Sequence, residues 1–371
     1  GETYNHLLPR ASPLDSLAYQ AYGEARDLDS TFAPVLFHLI EFAVRRGDLP
    51  RAASLLDEYH RRDADPELVG LVELALHCVR GGMPPAAWRD AAVRTPARVF
   101  GAAQWLALGG LRQPACARAA LESLLSDDTT AAVAREPYRF GALLALHAIL
   151  VAQNRTDEVR AMLERDTVFN PSYRGQLYVL GALAGAGFER EADGFVERGL
   201  RAYRADPGAV SNLDLWFLAS WTGARGQGPE AAEMGGRVLQ RAGGIDGRRD
   251  SLLAASILAR ATLARGDTAA ALEQLRRLSP NATSNQDLTW NPWESLGGER
   301  LLLARLLLAR GRPAEARDVA ANFDSPVPIT YLMYLPASLS LRVQAAEQLG
   351  DTRLARIAAE RLAALRGRAR Q

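Results

Sequence analysis

Apolar residues recur along most of the chain at intervals of three and four, which is the period of one face of an α-helix. The positions Leu252, Leu253, Ile257 and Ala261 illustrate this pattern. Ala, Leu, Arg and Glu, which all favour helix, dominate the periodic segments. No convincing run alternates with a period of two, and the nearest candidate, residues 325–332, carries two prolines that favour an extended connection. The pattern predicts an all-α fold.

A short block interrupts this helical pattern at intervals of 29 to 45 residues. In its clearest copy, LARGDTAAALEQL, Gly266 marks a turn and Ala271 follows five residues later on the next helix. The same spacing of Gly and Ala recurs at Gly47, Gly81, Gly110, Gly187, Gly226, Gly311 and Gly350. In a ninth copy Asn154 and Val159 replace the pair, and Asn is the next-best residue for a positive φ at a helix end. The blocks therefore predict about nine helix hairpins.

This pattern resembles tetratricopeptide repeats, whose unit is a helix hairpin of about 34 residues. A small residue seven positions before the turn is a further feature of that family, and it is present at Ala103, Ala219, Ala259 and Ala304. The resemblance covers residues 31–365 and implies a right-handed α-solenoid of about nine degenerate hairpins. Around this array we expect a helical lead-in over residues 1–30, an irregular internal loop over 279–295 and a basic tail over 366–371.

The resemblance also implies a binding surface. In that family the first helix of each hairpin lines the concave side of the solenoid, and ligand-facing positions lie ten, six, three and two residues before the turn. Carried onto the matching hairpins, these positions are Phe37, Glu41, Val44, Arg45, Phe100, Gln104, Trp216, Ser220, Ser256, Arg260, Leu301, Arg305, Ser340 and Gln344.

Two arginines on this surface form a candidate anion clamp. Arg260 and Arg305 occupy the same position in successive hairpins, so stacking should bring them close together on the concave wall. Two forked guanidinium groups could hold the carboxylate of a peptide end or of an acidic side chain. The alternative is that both arginines pair with acidic residues of neighbouring helices, such as Glu299.

Two aromatic pairs are further candidates for binding. Trp290 and Trp293 lie among polar residues in the irregular loop, where aromatic side chains are plausible contact points. The alternative is that both rings pack back onto the array. Tyr331 and Tyr334 are three residues apart on one helix face, and they could form either a ligand wall or part of the core.

Composition excludes several kinds of chemistry. The 44 basic and 43 acidic residues nearly cancel, which argues against binding to nucleic acid or to an anionic membrane. Every basic residue is Arg, so the chain lacks the Lys that a P-loop, a protein-kinase domain or a Schiff-base enzyme requires. The five histidines form no H-E-x-x-H motif, and no G-x-S-x-G motif is present. We therefore expect neither an enzyme nor a cofactor or metal site.

The two cysteines and the apolar runs set further expectations. Cys78 and Cys116 are interpreted as small buried hydrophobic residues, because two cysteines do not make a disulfide framework. The longest apolar run, Phe140–Ala152, is too short to span a bilayer, so we expect no membrane insertion of this chain.

The last third of the sequence, residues 290–351, resembles the carboxy-terminal repeat region of large bacterial signalling proteins. In those proteins a Ser/Thr kinase or a transcriptional-activator module is joined to such an array. The resemblance implies a non-catalytic interaction or sensory scaffold module that presents its groove to a peptide or protein partner, with an effector domain upstream of Gly1.

Two alternatives remain open: a constitutive structural subunit of a bacterial assembly, and a small-molecule sensor whose pocket is closed by the Trp290 and Trp293 loop. A cytoplasmic location is favoured, and an extracytoplasmic one would follow if a transmembrane helix precedes Gly1.

Overall fold

The computed structural model describes residues 15–62, 65–82, 84–108, 114–126, 132–165, 171–244, 247–278, 296–324 and 329–367. Across these ranges the secondary structure consists of nineteen α-helices and one short 3-10 helix, with no strand. The all-α class predicted from the hydrophobic period is confirmed.

The described residues divide into two compact units, of which the first runs to Ile149 and also includes Asp324 and residues 329–332. Its helices are α1 Asp15–Leu28, α2 Ala33–Arg46, α3 Leu49–His60, α4 Pro66–Gly81, α5 Pro85–Arg94, α6 Pro96–Leu108, α7 Pro114–Leu124 and α8 Ala132–Ala152. The last three residues of α8 belong to the second unit. Within the first unit α2 packs on α3, and α6 packs on α7.

The second unit comprises the remaining described residues. Its helices are α9 Thr156–Arg165, α10 Pro171–Ala184, α11 Glu189–Ala205, α12 Asn212–Ala224, α13 Gly228–Arg241, α14 Gly247–Ala264, α15 Thr268–Arg277, α16 Gly297–Ala309, α17 Pro313–Ala321, α18 Tyr331–Gln348 and α19 Thr352–Gly367. A 3-10 helix spans Asn322–Asp324. α10 packs on α11 and α12, and α12 packs on α13 and α14, so these two first helices each contact both their own partner and the next first helix. α10 also contacts α16, three hairpins further along the chain.

Seven of the turns between paired helices share one hydrogen-bond pattern. At Gly266 the φ angle is 89°. The Gly266 N–H donates to the carbonyl of Leu263, and the next N–H donates to that of Thr262. This is the Schellman motif, which requires a left-handed residue after the helix. The same bonds close the turns at Gly47, Asn154, Gly185, Gly226, Gly311 and Gly350. Asn154 has a φ of 58°, so its predicted role as a substitute for glycine is confirmed.

Two predicted turn positions are wrong by one or two residues. Gly81 is the last residue of α4, and Gly82 carries the positive φ of 76°. In the fifth hairpin Gly185 makes the Schellman bonds, while Gly187 lies in the link before α11. Both errors occur where two glycines lie close together, because spacing alone does not determine which one takes the left-handed conformation. The remaining turn glycine, Gly110, lies outside the described residues.

The small residue after the turn packs as predicted in most hairpins. It is fully buried at Ala52, Val159, Ala192, Ala231, Ala271 and Ala316. The prediction is wrong for Ala86 and Ala115, which are exposed. In those second helices other residues face the partner, namely Trp88 in α5 and Cys116 with Ala117 in α7, and all three are buried.

The two cysteines form a disulfide bond, which corrects the interpretation that they are separate hydrophobic residues. Cys78 on α4 and Cys116 on α7 have Cα atoms 5.9 Å apart. Both side chains are buried, with 4% and 8% of their surface exposed. The bond joins helices of two successive hairpins in the first unit, a contact that sequence spacing does not reveal.

Candidate functional site

A recess of about 630 Å³ opens within the second unit. Its walls come from the last turns of α8 and α10, from α16 and α18, and from Arg366 on α19. The polar residues that line it are Asn154, Arg305, Ser340, Gln344, Gln348 and Arg366. The other lining residues are apolar or glycine, but polar atoms supply the larger part of the exposed lining surface.

The helix ends that form this recess are fixed by the repeated turns. Asn154 ends α8 and Gly185 ends α10, and both residues adopt the left-handed conformation of the Schellman motif. The contact between α10 and α16 brings the second of these ends to the side of the recess where Arg305 lies. A Cβ atom placed on Gly185 would lie 3.8 Å from Nη2 of Arg305.

The charge that the described residues contribute to the recess is positive. Among those residues, Arg305 and Arg366 are the only charged ones in its lining, and no carboxylate lines it. The Arg305 side chain is solvent-accessible but surrounded by the recess walls. Desolvation by those walls, together with the nearby charge of Arg260, lowers the pKa of Arg305. The guanidinium still stays protonated at neutral pH, because Arg titrates far above that range. An anion entering the recess would therefore meet a cation that has already lost part of its hydration.

Only one of the two clamp arginines faces this recess. Arg260 is almost completely buried, and its Nε donates a hydrogen bond of 2.9 Å to Oε1 of Glu299. The alternative of an ion pair with Glu299 therefore holds for Arg260. Within the part of the chain that the structure describes, Arg305 makes no ion pair. The coulombic effect of Arg260 on Arg305 agrees with the expectation that the two lie near each other. The predicted two-arginine clamp is corrected to a single accessible arginine.

Four other predicted groove residues of the second unit are buried: Trp216, Ser220, Ser256 and Leu301. The indole N–H of Trp216 donates to Oγ of Ser256 at 2.7 Å, which joins two successive first helices. Ser220 is fully buried on the same helix as Trp216. These positions hold hairpins together and are not accessible to a ligand. By contrast, Ser340 and Gln344 line the recess, as the repeat positions imply.

Three of the predicted groove residues of the first unit, Phe37, Glu41 and Arg45, make contacts within that unit. Glu41 and Arg45 are buried and form an ion pair of 3.3 Å on α2. The ring of Phe37 lies 4.9 Å from that of Trp105 between centroids. Gln104 is half-buried on α6. The structure therefore does not bring these residues together with the recess residues of the second unit into one described site.

For the tyrosine pair, the structure supports the alternative of a core position over that of a ligand wall. Tyr331 and Tyr334 are almost fully buried, so they form part of the core. The ring of Tyr334 lies 5.7 Å from that of Phe323 between centroids and packs against Gly297. Trp290 and Trp293 lie outside the described residues.

Sequence reasoning missed several recess residues. Asn154 and Gly185 belong to turns, and Arg366 was assigned to the tail, so the groove positions of the repeat do not include them. The signal that could have identified Asn154 is its own irregularity, because it is the only turn where glycine is replaced.

The chain matches no protein-family model, and no curated protein is significantly similar to it. Within the described ranges, no helix is both long and apolar enough to cross a membrane. In the same ranges, no cluster of three or more His, Cys, Asp or Glu side chains could hold a metal ion.

Proposed function

We propose that the chain is an interaction module built as a right-handed solenoid of nine hairpins of the tetratricopeptide type. The recurrent Schellman turns, and the packing of α2, α10 and α12 on helices of their own and the following hairpin, support this architecture. Such an array presents a preformed surface and needs no chemical step of its own. A role as the sensory or scaffold part of a bacterial signalling protein belongs to the same proposal.

The ligand we propose is a carboxylate-bearing segment of a partner protein, held in the recess around Arg305. The observation that carries this proposal is the charge of Arg305, which makes no ion pair among the described residues, in a recess where no described lining residue is acidic. A guanidinium binds a carboxylate through two parallel hydrogen bonds, which gives both energy and orientation. Hydrogen bonds between charged groups contribute about 1.5–3 kcal/mol.

The remaining walls suit a short peptide segment. Ser340 and Gln344 lie on α18 beside the recess and offer hydrogen-bonding groups to backbone amides. Leu308, Met333 and Leu341 supply apolar contact area for a side chain. Because Arg305 is balanced by no carboxylate of the recess, the peptide carboxylate would supply the missing negative charge.

A second candidate function is sensing of a small carboxylic acid. The volume of about 630 Å³ favours it, because small-molecule sites typically occupy about 300–1,000 Å³. In both candidate functions Arg305 binds a carboxylate. The two functions differ in whether that carboxylate belongs to a partner protein or to a small molecule.

One comparison separates the two sources. A random-sequence octapeptide mixture with free carboxylate ends is titrated against the same mixture with amidated ends, and a panel of small monocarboxylic acids is tested by thermal shift. Peptide binding requires saturable retention of the free-acid mixture and little of the amidated one. A Tm increase with small acids alone assigns the recess to a sensor. If neither probe binds, the proposed carboxylate site is wrong.

A further inference from the structure

A second recess, of about 450 Å³, lies in the second unit between the two helices of the fifth hairpin. α10 contributes Arg174 and Tyr178 to its wall, and α11 contributes Arg190 and Arg198. Leu163, at the end of α9, and Phe195 are buried apolar residues of the lining. This recess shares no lining residue with the one around Arg305.

The sequence spacing on α11 places Arg190 and Arg198 on the helix face that lines this recess. Arg190, Gly194 and Arg198 are four residues apart, which places them on one helix face. Gly194 also lines the recess and leaves space between the two arginines. A Cβ atom on Gly194 would lie 3.6 Å from Nη1 of Arg198, so that guanidinium lies close to the backbone of the helix. A side chain at this position would occupy the space between the two cations.

The described lining residues carry a net positive charge, and one of the two carboxylates among them is already engaged. Glu191 accepts a hydrogen bond of 2.6 Å from Nε of Arg160, which is not a lining residue. Glu164 is the other acidic lining residue, and it is exposed. In the described part of the chain, Arg174, Arg190 and Arg198 make no ion pair with Glu164 or with any other carboxylate. Among the described lining residues, the three guanidinium groups therefore outnumber the one carboxylate, that of Glu164, which is not engaged by Arg160.

Tyr178 adds a neutral donor to these three cations. Desolvation raises the pKa of its phenol, and the negative charges of Glu164 and Glu191 act in the same direction. The hydroxyl group therefore keeps its proton at neutral pH and can donate it in a hydrogen bond. The recess therefore has four side chains that can donate hydrogen bonds, and three of them are charged.

We propose that this recess binds a phosphoryl group. A phosphate monoester carries a charge between −1.5 and −2 near neutral pH and presents three acceptor oxygens. Both its charge and its number of acceptor oxygens exceed those of a carboxylate. Arginine binds such groups through its planar fork, and a set of arginines on adjacent elements is a common way to read phosphorylated partners. This site lies apart from the Arg305 recess, so its occupation does not depend on the carboxylate proposed there.

The phosphoryl group can come from a free phosphate compound or from a phosphorylated protein, and two probes distinguish these sources. The full chain is titrated at low ionic strength with inorganic phosphate and with a phosphoserine decapeptide, using the unphosphorylated decapeptide as reference. Tighter binding of the phosphopeptide than of phosphate assigns the site to a modified protein, and the reverse order assigns it to a small phosphate compound. Absence of saturable binding for both probes overturns the proposal.

Matched variants locate the binding. The double variant Arg190→Gln/Arg198→Gln should weaken phosphate binding at least tenfold. Arg201→Gln should change it less than twofold, because Arg201 lies on the same helix but lines a different recess. Equal affinity in the double variant and wild type overturns the proposal, as does an equal loss in Arg201→Gln.

A third variant tests the space between the arginines without removing charge. Gly194→Leu should abolish phosphate binding while circular dichroism keeps the wild-type helix content. Retained affinity in a folded Gly194→Leu chain contradicts the proposed geometry. Since the charge variants alter only surface side chains, they decide the question even if this variant does not fold.

Discussion

Arg260 and Glu299 form a buried ion pair that holds α14 against α16 at 2.9 Å, with only 6% and 3% of their side chains exposed. Gly298 makes room for it, because a Cβ atom there would lie 2.8 Å from Nη2 of Arg260. Arg305 occupies the equivalent position in the next hairpin and has no ion-pair partner among the described residues. Equivalent repeat positions therefore serve different purposes, one structural and one available for a ligand.

Replacing Arg260 with Leu should destabilise the second unit by about 3–5 kcal/mol, because Glu299 is left buried without its partner. Urea denaturation measures the loss. The double variant Arg260→Leu/Glu299→Leu should recover most of it, since no buried charge remains. A single variant within about 1 kcal/mol of wild type would show that the pair does not stabilise this contact.

Two glycine substitutions should have opposite effects on stability. Gly266→Ala should destabilise the chain by about 1–2 kcal/mol, because its φ of 89° is strained for any residue with a Cβ atom. Gly236→Ala should stabilise it by about 0.5–1 kcal/mol, because Gly236 lies inside α13 with open space around it. Thermal unfolding of both variants checks the difference in sign. The same sign in both would contradict the assigned turn.

These turns are the part of the fold that the sequence predicts best. A left-handed residue is a local requirement, and Gly or Asn meets it wherever a helix must end sharply. For this reason Asn154 could be recognised as a turn residue without any glycine.

The recess could not be predicted in the same way. Its walls come from hairpins that are distant in sequence, and their approach depends on how the intervening helices pack. The repeat positions include Arg305, Ser340 and Gln344, which line the recess, but they equally include Trp216 and Ser256, which are buried. The neighbouring residues determine whether a repeat position is accessible to a ligand. At Arg260, for example, the ion pair with Glu299 makes the side chain inaccessible.

Reducing the disulfide bond should lower the stability of the first unit. Cys78 and Cys116 are 38 residues apart, and closing a loop of that length contributes about 4 kcal/mol through the unfolded state. The Tm should fall by about 10 °C in a strong reductant. Cys78→Ser/Cys116→Ser should show the lower Tm with and without the reductant.

Two free thiols in the oxidised, natively folded protein would refute the bond between Cys78 and Cys116. Structural disulfides are typical of oxidising compartments, so the same thiol assay tests the cytoplasmic location that the sequence favours.

Acid should weaken the link between α9 and α11. Desolvation alone would raise the pKa of Glu191, but the hydrogen bond and charge of Arg160 outweigh it and lower the pKa overall. A lowered pKa means that the stabilisation is complete above the unfolded value of about 4.3 and is lost as the pH falls through the folded value.

The Glu191→Gln variant tests this link through the pH dependence of unfolding. It should be less stable than wild type at pH 7, and the difference should shrink progressively below about pH 4. A constant difference between the two proteins over that range would show that the Arg160 pair does not cause the pH dependence.

The central claim is that Arg305 is the anchor for a carboxylate. Its most direct test is the affinity of Arg305→Gln for the free-acid octapeptide mixture, compared with that of Arg310→Gln at the C-terminal cap of the same helix. Arg310 follows the last residue of α16 and does not line the recess. We predict that Arg305→Gln weakens binding at least tenfold, or about 1.4 kcal/mol, while Arg310→Gln binds like wild type. Equal affinities in all three proteins would contradict the claim.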